Sequence, residues 1–151
     1  MKGGYRRLSK SLAETEVIAG EFARLLKPGD FISLNGPLGA GKTKFVSGVV
    51  RYICREPQCS VSSPTFTIMN RYRCGVTIDH FDFYRLSNIY DLENCGFFDS
   101  ILSNSITIAE WGDKIFFDHK IFLKNGYYKV KINFVEEEND ITREILIEKA
   151  I

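Results

Sequence analysis

The sequence predicts an α/β fold built on a mixed sheet, part parallel and part antiparallel. Three observations predict it. A short, mostly apolar run, Phe31-Ile32-Ser33-Leu34-Asn35, lies between two segments with helical spacing of apolar residues, the order that builds strands with crossover helices. A glycine-rich loop, Gly36 to Gly41, joins that run to the second helix. Two further pairs of strand-like segments, around Cys74-Gly75 and around Glu136 to Asp140, read as antiparallel hairpins.

The elements follow in order. Ser11-Leu12-Ala13-Glu14 fits a capping box, with Ser11 as N-cap and Glu14 reaching back. Ile18, Phe22, Leu25 and Leu26 then recur at helical spacing, and Lys27-Pro28-Gly29-Asp30 stops the helix. After the strand at 31–35 and the loop, Phe45, Val46, Val49, Val50 and Ile53 mark a second helix. Beyond Glu56-Pro57 the character turns to β, with strands predicted over Thr65 to Arg73 and Val76 to Phe81. Ser87 to Ser105 is polar, with short helices predicted around Asp91 to Cys95 and Phe97 to Leu102. Ile106-Thr107-Ile108-Ala109 reads as another buried strand, ending at Glu110-Trp111-Gly112. Val130, Ile132 and Phe134 alternate with polar residues, and Ile145 and Ile147 mark the return strand of a C-terminal hairpin.

The chain has 151 residues, a length typical of one domain, so residues 1–151 are read as a single unit. Apolar residues make up 44% and charged residues 26%, which argues against disorder. The formal net charge of +1 lacks the basic excess of a free-standing nucleic-acid binder, so any RNA role is shared with a partner. No apolar run approaches the ~18 residues of a membrane span, and the basic start Met1 to Arg7 is not followed by the apolar core of a secretory signal. Cys54, Cys59, Cys74 and Cys95 form no C-x-x-C pair, and only His80 and His119 accompany them. A structural zinc site wants paired ligands at short spacing. Scattered cysteines without a secretion signal are expected to be reduced thiols of a cytoplasmic protein.

Gly36-Pro37-Leu38-Gly39-Ala40-Gly41-Lys42-Thr43 matches G-x-x-x-x-G-K-[ST] in full. The glycines let the backbone curl so that several N–H groups meet one anion. The helix that starts near Lys42 adds its positive dipole end. Lys42 supplies a point charge for the β- and γ-phosphates, and the Thr43 hydroxyl is a ligand for Mg²⁺. The backbone N–H of Lys44 falls near the α-phosphate. Strand, loop and helix in this order predict a P-loop NTPase-like three-layer sandwich. Pro37 sits early in the loop, before the amides that cradle phosphate, and is expected to stiffen it.

Mg²⁺ takes one or two carboxylates together with phosphate and water, and P-loop enzymes supply a carboxylate from the end of a neighbouring strand. Two candidates stand at strand ends: Asp82 after Phe81, and Glu110 after Ala109. Either can serve the metal while the other orients the attacking water. Asp79 is a weaker candidate, because on an alternating strand it faces away from His80. His80 is read as a general base or a hydrogen-bonded structural residue, and His119 has no role. Arg85 is a candidate phosphate contact or half of an ion pair. Ser63 and Thr65, flanking Pro64, fit a loop that responds to the γ-phosphate or a turn capped by hydroxyls. Arg71-Tyr72-Arg73 and Phe83-Tyr84-Arg85 are either base-stacking stretches or core aromatics at strand spacing.

These motifs recur in a recognisable order. Leu38-Gly39-Ala40-Gly41-Lys42-Thr43, Ser63-Pro64-Thr65-Phe66-Thr67, His80-Phe81-Asp82-Phe83-Tyr84-Arg85-Leu86 and Glu110-Trp111 together resemble the TsaE (YjeE) family, small bacterial P-loop ATPases needed to make threonylcarbamoyl-adenosine in tRNA. The resemblance spans roughly Leu8 to Trp111. It implies ATP or ADP on Gly39, Ala40, Gly41, Lys42, Thr43 and Lys44, Mg²⁺ on Thr43 and Glu110, and Asp82 near the metal or the attacking water. Ser11 and Leu12, which open the first helix, are implied to lie near the adenine. The implied partner is a TsaB–TsaD pair, with tRNA reached indirectly and the chain a monomer on its own. Departures are Pro37 where the family usually has Asp, Ser47 where it often has Arg, and Gly112 where Pro commonly follows Glu-Trp.

The residues and the resemblance together predict a weakly hydrolysing ATPase, with Lys42, Asp82 and Glu110 carrying the chemistry. Two other readings stand beside it: a small-molecule kinase with the same loop, and a non-catalytic module that binds nucleotide to change its protein contacts.

Overall fold

The computed structural model describes residues 3–123, 125–137 and 140–150. The strands are β1 (Gly4–Ser9), β2 (Phe31–Asn35), β3 (Met69–Cys74), β4 (Val76–Asp82), β5 (Ile106–Glu110), β6 (Tyr127–Glu137) and β7 (Asp140–Lys149). The helices are α1 (Leu12–Ala23), α2 (Lys42–Cys54), α3 (Ile89–Asn94), α4 (Phe97–Leu102) and α5 (His119–Phe122). One sheet runs in the order β1-β7-β6-β2-β5-β4-β3. Its centre is parallel, β6, β2, β5 and β4 side by side, and both flanks are antiparallel hairpins.

Strand alternation divides the core in two. Ile32, Leu34, Ile78, Ile108, Val130 and Ile132 face one side and pack with Ile18 and Phe22 of α1 and Phe45, Val46, Val49 and Val50 of α2. Each of these side chains contributes about 1.5–3 kcal/mol by leaving water. Phe31, Phe81, Ala109 and Tyr127 face the other side, under Leu92 of α3 and Phe97 and Ile101 of α4. The three-layer mixed sandwich anticipated from the sequence is therefore the fold.

Several expectations change in detail. Ser11 caps α1, accepting from the Glu14 N–H at 3.0 Å, but the Glu14 carboxylate accepts from the Lys10 N–H at 2.8 Å rather than from Ser11. The full capping box is at Asn88 and Asp91 instead, opening α3. α1 stops before Leu25, which is exposed. β3 begins at Met69, not Thr65, because the chain turns through Pro64 to Ile68, where the Ile68 N–H reaches the Pro64 carbonyl at 2.8 Å. β1 has no counterpart among the predicted elements, since Tyr5-Arg6-Arg7-Leu8 is an edge strand that pairs, among the described residues, with β7 alone. His119, read as having no role, opens the one-turn α5 and stacks on Tyr127. Of the acidic turn at 136–140, residues 138 and 139 lie outside the described residues.

The reduced-thiol expectation is overturned at one pair. Cys54, ending α2, is disulfide-bonded to Cys74, ending β3. Twenty positions separate them in sequence, a proximity created only when the β3–β4 hairpin docks beside α2. Cys59 and Cys95 are free.

Candidate functional site

The site forms where β2, β4 and β5 end on the same edge of the sheet. β2 delivers the chain into the glycine-rich loop, and α2 leaves from it. Gly39 and Gly41 have φ of 79° and 101°, left-handed values that a side chain would resist. Gly41 is the N-cap of α2 and brings no side-chain oxygen to the helix start. Several N–H groups of the first turn are thus left for an external anion.

Lys42 is the first residue of α2 and is 6% exposed. Its Nζ donates to the carbonyls of Gly36 at 2.6 Å and Pro37 at 3.0 Å. The same ammonium stands 4.4 Å from the centroid of the Trp111 ring, a cation–π contact. Burial lowers its pKa, and the nearby Glu110 and Asp82 carboxylates pull it back up.

The two strand-end carboxylates are neighbours. Asp82 on β4 and Glu110 on β5 are paired in register, and Glu110 is also level with Leu34 on β2. The period of two sets their direction. Residues 78, 80 and 82, like 106, 108 and 110, point to the α2 face, so His80, Asp82 and Glu110 share the side that carries the loop. Asp79 points to the opposite face, as anticipated. There it binds Arg71 Nε at 2.6 Å and the Ser100 hydroxyl at 2.6 Å. Burial would raise its pKa, but those bonds outweigh burial and hold it below the usual aspartate range.

Glu110 is held by two donors. The Thr43 hydroxyl and His80 Nε2 both lie 3.0 Å from Oε1. A proton on Nε2 lets His80 donate to the Glu110 carboxylate, and the buried Nδ1 has no hydrogen-bond partner among the described residues. His80 therefore positions Glu110. Asp82 is held by the Ser63 hydroxyl at 3.0 Å and the Tyr84 N–H at 2.9 Å. Through Ser63, the Ser63-Pro64-Thr65 turn is tied to the end of β4.

Trp111 follows Glu110 with φ of 57°, a conformation costing about 1–2 kcal/mol for a residue with a side chain. Its N–H donates to the Leu34 carbonyl at 2.9 Å, which anchors the turn and places the indole over Lys42. Gly112 comes next because nothing larger fits: a Cβ there would lie 2.3 Å from Ser33 Oγ and 2.9 Å from the Ala109 carbonyl.

A cavity of about 460 Å³ opens here, with Leu12, Leu38, Thr65, Tyr84 and Trp111 on its walls and Gly39, Gly41, Lys42, Thr43 and Lys44 on its floor. Asp82 and Glu110 also line it. Thr43, Glu110 and Asp82 present hard oxygen donors side by side, a set that suits Mg²⁺ once phosphate oxygens and water complete the shell. Three anticipated contacts stand elsewhere. Ser11 does not line the cavity, since its hydroxyl caps α1, although Leu12 beside it does. Ala40 is fully buried in the core, and its N–H donates to the Pro37 carbonyl at 3.1 Å. Arg85 is also outside the cavity, with its guanidinium 4.7 Å from the exposed Phe66 ring. One neighbour of the loop is not legible in the sequence: Arg143 of β7 donates from Nε to the Ala40 carbonyl at 2.8 Å. The sequence motif ends a hundred residues earlier and carries no signal for it.

The model of the family described as "Threonylcarbamoyl adenosine biosynthesis protein TsaE" matches residues 9–145. The chain is 41% identical over 103 residues to the tRNA threonylcarbamoyladenosine biosynthesis protein TsaE of Rickettsia conorii, covering 68% of this chain and 58% of that protein. It is 34% identical over 126 residues to the protein of the same name from Rickettsia bellii, covering 83% of each. The chain thus spans less than two thirds of the Rickettsia conorii relative's length. The crystal structure of Bacillus subtilis YdiB superposes with a TM-score of 0.70 at 24% identity, over 97% of this chain and 86% of that one. That likeness speaks for the fold.

Proposed function

The chain belongs to the TsaE family, and from that premise we propose that it is a Mg²⁺-dependent ATPase of slow turnover, serving threonylcarbamoyl-adenosine modification of tRNA together with a TsaB–TsaD-like protein pair. The observation that carries the reading is one edge of the sheet. There Lys42 and Thr43 of a full phosphate loop meet Glu110 and Asp82 from the two adjacent strand ends.

The chemistry follows from charge. Loop N–H groups and the Lys42 ammonium hold the triphosphate and offset the negative charge that grows as the terminal phosphoryl group leaves. Thr43 and Glu110 would hold Mg²⁺, which would supply neutralisation of phosphate charge. Asp82, fixed by Ser63 and the Tyr84 N–H, is placed to orient a water. No arginine reaches the cavity among the described residues, which fits slow turnover by the chain alone. Leu38 and Phe66 stand 70% and 84% exposed on and beside the cavity wall. Bare apolar side chains of that size fit a protein that covers the mouth.

Phosphate release from ATP by the purified chain, alone and with the TsaB–TsaD pair, tests this. Turnover is expected to be low alone, to rise with the pair and to vanish in Lys42→Ala. Unchanged turnover with the pair removes the partner assignment. Wild-type turnover in both Lys42→Ala and Glu110→Ala removes the site. Transfer of phosphate to a small acceptor instead of water establishes a kinase.

A further inference from the structure

We propose that Arg143, on the C-terminal hairpin, is a positioning residue for the phosphate loop and sets its affinity for nucleotide. The inference rests on the nucleotide-binding reading above and adds a residue to it.

A phosphate cradle works only if its N–H groups face inward and its carbonyls face outward, because a carbonyl oxygen turned inward repels the anion. Two side chains bind loop carbonyls among the described residues, Lys42 from within the cavity and Arg143 from outside it. Lys42 holds those of Gly36 and Pro37, and Arg143 holds that of Ala40. Lys42 cannot keep its role, since its ammonium turns to the phosphates when they bind. Arg143 can, because it approaches from outside the cavity and is not one of its lining residues. It is then the remaining side-chain restraint on the loop backbone.

The arginine is itself well placed to persist. Its backbone is fixed on both sides, against Ser9 of β1 and Phe134 of β6. Its guanidinium lies 5.5 Å from the Phe134 ring centroid. A Cβ built on Gly41 would lie 3.6 Å from Arg143 Nε and 3.2 Å from Leu12 Cδ2, so Arg143 and the start of α1 close on the loop together. No carboxylate forms a salt bridge with Arg143 among the described residues. Its charge adds to the positive field behind the loop.

The test compares Arg143→Met and Arg143→Lys with wild type in two measurements: ADP affinity by titration, and the thermal midpoint of the nucleotide-free chain. A charge-assisted hydrogen bond of this kind predicts about five- to tenfold weaker ADP binding by Arg143→Met. The nucleotide-free midpoint is expected to stay near wild type, and Arg143→Lys, which keeps the charge and one donor, is expected to recover part of the loss. ADP affinity within about twofold of wild type in Arg143→Met overturns the inference. So does a loss that tracks a lowered nucleotide-free midpoint, which marks Arg143 as a fold contact only. Failure of the wild-type chain to bind ADP overturns the nucleotide reading itself, and the inference with it.

Discussion

Gly48 sits in the middle of α2, where propensity and packing make opposite demands. Replacing a helix-interior glycine with alanine favours the helix by about 1 kcal/mol. Here the added methyl has nowhere to go. A Cβ on Gly48 would stand 2.2 Å from the Glu16 carbonyl oxygen and 2.7 Å from Ala19 Cβ, both on α1. The first of these is backbone and cannot rotate away, so α1 must move. Movement also strains Glu16, whose Oε1 accepts from the Ser47 hydroxyl and from Arg51 Nη1, each at 2.6 Å, and so clamps the two helices. Overpacking costs about 1–3 kcal/mol. Contact with rigid backbone takes the upper end, so Gly48→Ala should lose about 2 kcal/mol net of the propensity gain. For a chain of this size that lowers the thermal midpoint by about 4–8 °C. Gly20, on the facing helix, is the control. Its Cβ would meet nothing closer than 3.7 Å, so Gly20→Ala should gain up to about 1 kcal/mol. Urea unfolding of both variants, followed by circular dichroism, reads the difference. A Gly48→Ala chain as stable as wild type would refute the close approach of α1 and α2 on which this arithmetic depends.

Three other outcomes are expected. Reducing the Cys54–Cys74 bond, which closes a loop of about twenty residues, should cost about 3 kcal/mol on the chain-entropy estimate, seen as a lower urea midpoint with dithiothreitol and no such change in Cys54→Ser. Asp79 has its pKa held down in the fold, so its ion pair stabilises above the ordinary aspartate value and is lost as pH falls through the folded one. Arg71→Met should therefore destabilise at pH 7 by about 2 kcal/mol, discounted for the part-exposed arginine, and the gap to wild type should narrow in acid unfolding below pH ~4. Trp111 is the chain's only tryptophan and lies against the Lys42 ammonium, so ADP binding should change its fluorescence, and Lys42→Ala should abolish that response.

The part of the site legible in the sequence is the part that local rules govern. The phosphate loop is contiguous, and its glycines have a backbone reason that needs no tertiary knowledge. Asp82 and Glu110 stand out because each stands at the end of a predicted strand, and strand alternation separates Asp79 from them without a structure. What escapes a reading of the sequence depends on neighbours distant along the chain. β1 is polar on its exposed positions and becomes a strand only through pairing with β7. Cys54 and Cys74 meet only when the β3–β4 hairpin packs beside α2. Arg85 stands exposed over Phe66 after the turn at Phe83 to Leu86, a placement that its position beside the motif does not reveal. Arg143 is 103 residues from its acceptor, beyond the reach of any spacing argument.

The pose of Lys42 bears on how the site would be regulated. Two carbonyls and an indole ring already engage its ammonium, and an arriving phosphate competes with them. Part of the attraction between Lys42 and the nucleotide is therefore offset by breaking these resting interactions, which lowers affinity relative to a lysine free in water. The indole is the partner most open to outside influence. It belongs to the turn that begins at Glu110, and it packs against Tyr84, whose N–H holds Asp82. A protein that docks on the exposed Tyr84 side and shifts Trp111 would loosen the lysine's resting place and disturb both carboxylates in one movement. If turnover rises with a partner as proposed, release of Lys42 toward the phosphates is one route to that rise, beside an arginine supplied by the partner. Trp111→Phe separates the two routes. It weakens the cation–π interaction while keeping an aromatic ring, so turnover by the chain alone should rise toward the partner-stimulated level if release of Lys42 is the limiting step, and should stay low if the partner contributes a catalytic group of its own.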